Sequence, residues 1–378
     1  MAHTIQAVDE GNRMKIERID ATHFTIPYKK EVRFATGALS AADHVLLRVT
    51  TTDGVVGTAE LIPRPMIYGD TVSSALGAIE SIVRPLLVGR SVGPGHDLRQ
   101  RLKNLAGNYT VKGALDIALW DAAARTFGVP CWQLLGGDGG EIQVTCMLGL
   151  GSPEEVVEEA NEMVAAYGVS SFKVKVGLDV RQDIAVCAAM REAFPEALIN
   201  VDANHGYNFT DAVMFGRAAM ELHIAWIEEP SDGLAVAGRE RVVRAAGPPI
   251  MSDESTPDVK SVAREIIAKR TDLISVKVAR TGLTESSQIL GICDALGTGV
   301  VIGNQGDSDL GTLASLQFGG LSETARERPG ELTYFLTALG GHLLEEPPEV
   351  RGGRIAIPTA PGLGGEIDEE QFKHYAAA

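Results

Sequence analysis

Residues 198–204 read Leu-Ile-Asn-Val-Asp-Ala-Asn, a short apolar run that ends on a carboxylate. The same shape recurs on both sides: SFKVKV at 171–176, then AWIEEP at 225–230, PIMSDES at 249–255, LISVKVA at 273–279 and VVIGNQ at 300–305. IQVTCML at 142–148 and, less regularly, ELTYFL at 331–336 bring the series to eight, spaced about 24 to 31 residues apart with amphipathic stretches between. That is the spacing of strand–helix units closing into a parallel barrel. A doubly wound open sheet is the competing arrangement, but Gly149-Leu-Gly151 is not completed as a dinucleotide fingerprint, and no GxxxxGK(S/T) phosphate loop is present.

Upstream of the series the period changes. KIERIDATHFTI, from Lys15, alternates as a strand does, and HVLLRVTTTDGVVGTAE reads as two strands around an Asp53-Gly54 turn. Helical stretches are expected over Thr71 to Leu87, His96 to Leu105 and Val111 to Phe127. Strands followed by helices make an α+β unit, and Leu135-Gly-Gly-Asp-Gly-Gly140 breaks the pattern after it. The expected organisation is therefore α/β: an α+β capping domain over 1–140, a modified (β/α) TIM-type barrel over 141–345, and a segment over 346–378 whose GGRIAIP and PGLGGEID return to the cap. Residues before about Met14 read as an extension with no role.

Composition narrows the function. The chain has 378 residues, 45% hydrophobic and 22% charged, enough for two ordinary cores, and a formal net charge of −16 makes nucleic acid or an anionic membrane a poor partner. No run of 18 apolar residues exists and the opening MAHTIQAVDEGNRMKIE has no apolar segment behind a basic start, so a cytoplasmic protein is expected. Cys131, Cys146, Cys187 and Cys293 match no metal or dithiol spacing and are expected to be buried free thiols.

In a parallel barrel the chemistry sits at the C-terminal ends of the strands. The ends here carry Lys173-Val-Lys175, Asp202-Ala-Asn204, Glu228-Glu229, Asp253-Glu254, Lys277, and Asn304-Gln305 followed by Asp307. Singly, each carboxylate would cap a helix or pair with a lysine. Three in register on consecutive strands, Asp202, Glu228 and Asp253, would repel one another unless a divalent cation lay between them, and all-oxygen ligation selects Mg²⁺ before Mn²⁺ or Ca²⁺. Lys173 and Lys175 are two apart and share the interior face, where adjacent ammonium groups should depress each other's pKa from about 10.4. Lys277 is expected across the mouth from Lys175.

KVK, VDAN, IEEP, SDES and the lone lysine of VKVARTG, in this order, together with the ALDIALWD helix, resemble the barrel signature of the enolase superfamily. This superfamily serves in general accounts as an example of Lys or His bases working with Mg²⁺. The resemblance implies Asp202, Glu228 and Asp253 as magnesium ligands, Lys175 and Lys277 as the acid/base pair, and Lys173 as a contact to the substrate carboxylate. Asn204, Asp307 and Arg64 are the further candidate substrate contacts.

The mandelate racemase branch needs a His at the seventh strand, but no His lies between His223 and His342, and the sixth strand offers Lys277. The muconate lactonizing branch remains. Its dipeptide epimerases carry Asp-x-Asp at the eighth strand, where this chain has Glu331-Leu-Thr333, and Asp307-Ser-Asp309 lies on the seventh. PYKKEVRFATG, RPMIYGDT, GNQGDSDLGT and GELTYFL look most like the muconate lactonizing enzymes themselves. The implied activity is cycloisomerisation of cis,cis-muconate, with N-acyl amino acid racemisation, an o-succinylbenzoate synthase-like elimination, or a non-catalytic metal-binding barrel as alternatives. The resemblance further implies a small carboxylate substrate and a homo-oligomer. Tyr28 to Gly37 and Leu61 to Asp70 are the expected cap loops over the mouth, with Phe34 and Tyr68 read as packing before specificity.

Overall fold

The computed structural model describes residues 14–34, 37–245 and 247–376, with side chains 31–39 excluded. The segment before Met14 and the Phe34 side chain thus lie outside the described residues. In the cap, β1 (Met14–Phe34), β2 (Gly37–Thr51), β3 (Val56–Leu61) and β4 (Ser91–Val92) form an antiparallel sheet in the order β3-β2-β1-β4. The β2–β3 turn passes through Gly54 at φ 82°, a left-handed conformation that glycine adopts without strain. Thr71 caps α1 (Val72–Ala78) by a reciprocal box with Ser74, and the helical path continues through a wider turn, Ile79–Val83, to Arg84–Leu87.

α2 (Tyr109–Phe127) is apolar on nearly every side because it is covered on more than one face. β3 lies against one side of it: a Cβ at Gly57 would run into the backbone of Ala118 and Ala122. On the other side the backbone of Ala279 and Arg280, in barrel helix α8 (Val278–Leu296), leaves no room for a Cβ at Gly113. Two glycines therefore set how closely sheet, cap helix and barrel approach. This contact places the cap loop Leu61 to Asp70 beside the barrel mouth.

The barrel sheet is parallel, in the order β12-β11-β10-β9-β8-β7-β6. Its strands are β6 (Cys146–Leu148), β7 (Ser171–Lys175), β8 (Leu198–Asp202), β9 (Ile227–Glu228), β10 (Ile250–Ser252), β11 (Leu273–Val276) and β12 (Gly299–Ile302). Helices α3 (Pro153–Tyr167), α4 (Val180–Ala193), α5 (Phe209–Glu221), α6 (Val236–Ala245), α7 (Val259–Ile267), α8 and α9 (Asp309–Gly319) alternate with them. The period of two divides the strand residues. Phe172, Val174, Ile199, Val201, Ile227, Ile274, Val276 and Ile302 join the large core shared with the cap, whereas Trp226, Met251, Leu273 and Val301 form a separate buried cluster. By that alternation the second cluster fills the inside of the ring, beneath the strand ends.

Two of the eight runs depart from expectation. IQVTCML is split: β5 (Glu141–Gln143) pairs with the tail in the sheet β13-β14-β5, with β13 (Val350–Arg351) and β14 (Arg354–Ala356), and only Cys146–Leu148 enters the barrel. ELTYFL is not a strand. Gly330 bridges Val144, Glu331 N–H donates to Ile302 O at 2.8 Å, and Tyr334–Thr337 then coils into one helical turn. The chain leaves the ring at Leu332, whose N–H turns back to Gly330 O, so too few residues remain extended to pair. Beyond the β13-β14 hairpin the tail reaches the cap: Asp121 of α2 accepts from Leu363 N–H, and Phe372 of α10 (Glu369–Ala376) meets Phe24 edge-on at 5.9 Å.

The four cysteines are free and buried. Burial pushes the Cys146, Cys187 and Cys293 thiols up to about 12, so they are inert packing groups. Among the described residues, no helix is long and apolar enough to cross a membrane.

Candidate active site

Register assembles the site. Lys175 pairs with Asp202 across β7–β8 and Asp202 with Glu228 across β8–β9, while Met251, beside Glu228, sets Asp253 two residues further along β10. Lys277 follows β11 directly and begins α8.

Lys173 is 2% exposed, and its Nζ lies 2.5 Å from Glu228 Oε2, 2.7 Å from Glu331 Oε1 and 3.1 Å from Asp202 Oδ2. Lys175, one third exposed, donates to Asp202 Oδ2 at 2.6 Å and to Asn204 Oδ1 at 2.8 Å. Lys277 pairs with Asp253 Oδ2, and Arg280 Nη1 takes the other oxygen of that carboxylate at 2.7 Å. The two candidate proton-transfer lysines therefore sit on different carboxylates, on the two strands that flank Glu228.

At Lys173 these neighbours reverse the expected depression of the pKa. Burial alone would lower Lys173, but Asp202, Glu228 and Glu331 together hold it well above the ordinary value. Burial likewise opposes and Asp253 overcomes at Lys277, which is also raised. At Lys173 three carboxylates within 3.1 Å outweigh both burial and any repulsion from a neighbouring ammonium. The same pairs act on the acids: despite burial, Lys173 and Lys175 hold Asp202 below its usual range, and Lys277 and Arg280 do so for Asp253.

Glu228 is the exception. It is fully buried, neither carboxylate oxygen is in hydrogen-bonding geometry with any donor, and its Lys173 contact is a bare ion pair. Burial and then Asp202 push its carboxyl well above the ordinary value. A buried carboxylate between two others, whose one cationic neighbour Lys173 is shared with Asp202 and Glu331, leaves negative charge that a hard cation would balance, so Asp202, Glu228 and Asp253 fit a magnesium or manganese ion by donor chemistry.

The remaining candidates fall on both rims. Asn204, at φ 41°, links Lys175 to Glu254, donating to Glu254 Oε1 at 2.9 Å. Asp307 is buried, accepts from Gln305 N–H at 3.2 Å, and is pushed up to about 7 by burial and then by Glu60. Arg64 reaches in from the cap loop: a Cβ at Gly306 would collide with its guanidinium, and its charge acts on both Asp307 and Tyr334. Asp309, the second acid of Asp307-Ser-Asp309, accepts the N–H groups of Leu343 and Leu344 at 2.8 to 3.0 Å and is a structural brace. A cavity of about 210 Å³ lined by Leu150, Val156, Leu178, Gln182 and Val186 opens beside Lys175.

Several residues at the site escaped the reading of strand ends. Glu331 heads the irregular eighth run instead of ending it, and Arg280 lies three residues into the helix after Lys277. Their signal was an unexplained charge within an otherwise apolar segment. His205, Glu229 and Glu254 bring ligand-type atoms within 4.8 Å of one another. Glu229 is already engaged, however, by Asp253 N–H at 2.7 Å, Ser255 N–H at 3.0 Å and Arg239 at 3.3 Å, so this group reads as the ion-paired support of the Asp253 turn.

Residues 155–371 match the family described as enolase C-terminal domain-like, and residues 18–136 the mandelate racemase / muconate lactonizing enzyme N-terminal domain. A crystal structure of muconate lactonizing enzyme from Mucobacterium Smegmatis complexed with muconolactone superposes with a TM-score of 0.90 and 37% identity, over 96% of this chain and 99% of that one. Muconate cycloisomerase 1 of Rhodococcus opacus is 31% identical over 376 residues, covering 95% of this chain and 98% of its own. L-Ala-D/L-Glu epimerase of Bacillus subtilis (strain 168) is 29% identical over 359 residues, 93% of this chain and 96% of its own.

Proposed function

We propose, from the premise that the chain belongs to the mandelate racemase / muconate lactonizing enzyme family of the enolase superfamily, that it is a magnesium-dependent cycloisomerase turning cis,cis-muconate into muconolactone in the cytoplasm. The observation that carries this reading is the set of cations at one mouth, Lys173, Lys175 and Lys277 from the barrel and Arg64 from the cap, which a metal ion held by the carboxylates they pair with would complete as a site for a small dianion. The likeness to muconate lactonizing enzymes over nearly the whole chain supports it.

Asp202, Glu228 and Asp253 would hold the magnesium ion, whose fixed charge favours negative charge developing on a nearby carboxylate. Lys173 adds a second preorganised positive charge at that end of the substrate. Arg64 holds the distal carboxylate, one oxygen of which adds to the diene. The displaced π electrons move toward the proximal carboxylate and give an enolate-like species. Lys175 or Lys277 then delivers one proton to the carbon α to that carboxylate, so the dianion gains a proton and leaves as the lactone monoanion.

A racemase would also use opposed lysines, one for each enantiomer. Two acids that could hold a substrate ammonium are absorbed elsewhere, Asp309 in its brace and Glu331 on Lys173, which argues against a dipeptide epimerase; an N-acyl amino acid has no ammonium, and turnover separates that racemase from the cycloisomerase. The test is direct. With Mg²⁺, cis,cis-muconate should lose its diene absorbance and the lactone should appear by NMR, with solvent deuterium at the α carbon in D₂O. Exchange of α protons in N-succinyl amino acids without muconate turnover would replace this reading by racemisation.

A further inference from the structure

The cap loop between Leu61 and Asp70 is tied down at three points. Two hold its feet: Gln305 Nε2 donates to Ile62 O at 3.0 Å, and Thr110 Oγ1 to Asp70 Oδ2 at 2.9 Å. The third reaches the interior of the site. Arg280 Nη1 donates to the Tyr68 hydroxyl at 2.9 Å, and the same nitrogen donates to Asp253 Oδ1 at 2.7 Å. Arg280 is 3% exposed, and its Nη2 donates to Ser275 O at 2.9 Å and to Thr256 O at 3.4 Å. Its Nε has no partner. The Tyr68 ring stands edge-on to Tyr109 of α2, centroids 5.8 Å apart, so its hydroxyl is carried by the cap.

We propose that Tyr68 is a positioning residue: through Arg280 it fixes the orientation of the Asp253 carboxylate, so that seating of the cap loop and uptake of the divalent cation are one coupled equilibrium. The inference rests on Asp253 being a cation ligand. Arg280 holds Oδ1, and Oδ2 is left to Lys277 and to a cation. With the Tyr68 hydroxyl gone, a guanidinium already unpartnered at Nε loses its acceptor on the cap side, and the Asp253 carboxylate is oriented less tightly, by Lys277 and an Arg280 held only from the barrel. Partners behind a ligand commonly control metal affinity by about 10- to 100-fold. Linkage makes the effect reciprocal: the factor by which a seated loop tightens cation binding equals the factor by which the cation seats the loop.

The experiment titrates Mg²⁺ alone into metal-stripped full-length protein by calorimetry and follows amide hydrogen exchange over residues 62–69 with and without Mg²⁺. Tyr68→Phe should weaken Mg²⁺ binding about tenfold and Arg280→Lys by about tenfold or more. Ile67→Ala, on the same loop with its side chain partly exposed, should leave it unchanged. In the wild type Mg²⁺ should slow exchange in the loop, and in Tyr68→Phe that slowing should shrink by the factor lost in affinity. Unchanged affinity in Tyr68→Phe, or a wild-type loop whose exchange ignores bound Mg²⁺, overturns the coupling while leaving the functional reading intact. A wild type that takes up no Mg²⁺ overturns both, and the wild-type exchange experiment decides the matter even if a variant fails to fold.

Discussion

Lys173 Nζ lies 2.5 Å from Glu228 Oε2 in a contact that is an ion pair without hydrogen-bond geometry, and both side chains are shut away from solvent. Lys173 is thus one cation among three carboxylates, Asp202, Glu228 and Glu331, and the cluster carries excess negative charge. A buried carboxylate that shares its one cation with two other carboxylates costs stability unless a further cation offsets it.

Glu228→Gln should therefore leave the metal-free melting temperature unchanged or slightly raised, because the amide keeps the shape and leaves Lys173 to the two remaining carboxylates, Asp202 and Glu331. The same variant should lose the melting-temperature rise that Mg²⁺ gives the wild type. At a Mg²⁺ concentration about 100 times its Kd that rise corresponds to about 2.7 kcal/mol. Thermal melts with chelator and with Mg²⁺ measure both effects, and a metal-free destabilisation would mean that Glu228 serves Lys173 alone.

Lys175 and Lys277 stand on separate carboxylates, so removing one need not disturb the other. Alanine at the proton donor should lower kcat by about 10² to 10⁴. Alanine at the opposite lysine should cost less in lactonisation. The face of the lactone that takes up deuterium then identifies the donor by an independent route.

In the proposed reaction Arg64 holds the distal carboxylate and should contribute equally to ground and transition states. Arg64→Ala is expected to raise KM for muconate about 10- to 100-fold, the worth of a hydrogen bond to a charged group, with kcat little altered. A fall in kcat at unchanged KM would place Arg64 in the chemistry instead.

The groups that end strands were legible in the sequence because charge at the C-terminal end of an apolar run has few structural explanations when it recurs in register. Lys173, Lys175, Asp202, Glu228, Asp253 and Lys277 are expected on that ground, and the structure pairs them with one another at the strand ends. What pairs with them was not legible. Arg280 reaches Asp253 across 27 positions and Glu331 reaches Lys173 across 158, and no local pattern reports separations set by barrel closure. The pKa direction of Lys173 is hidden for the same reason: the sequence shows Lys175 beside it, whereas the fold brings Asp202, Glu228 and Glu331 onto its ammonium. The eighth run was misread as a strand because its apolar composition suits a helical turn as well, and Leu332 turns the chain out of the ring.

Asp116 gives a prediction away from the mouth. It is a fully buried acid on α2 that accepts from Thr284 N–H at 2.8 Å and Thr284 Oγ1 at 2.6 Å, in the barrel helix that bends at Gly282. Burial is the largest influence and raises its pKa from 3.8 to about 6, even though the two hydrogen bonds pull it down. Since the folded value lies above the unfolded one, the folded state binds more protons between the two, and stability must fall as pH rises through that window. The contribution is complete below about pH 4 and lost above about pH 6, amounting to about 3 kcal/mol for a shift of this size. Asp116→Asn cannot ionise, so denaturant unfolding at pH 4, 5, 6 and 7 should show the variant gaining on the wild type across this interval and running parallel to it beyond. A difference between the two proteins that does not change with pH would show that Asp116 is already ionised throughout and that its contacts with Thr284 outweigh its burial.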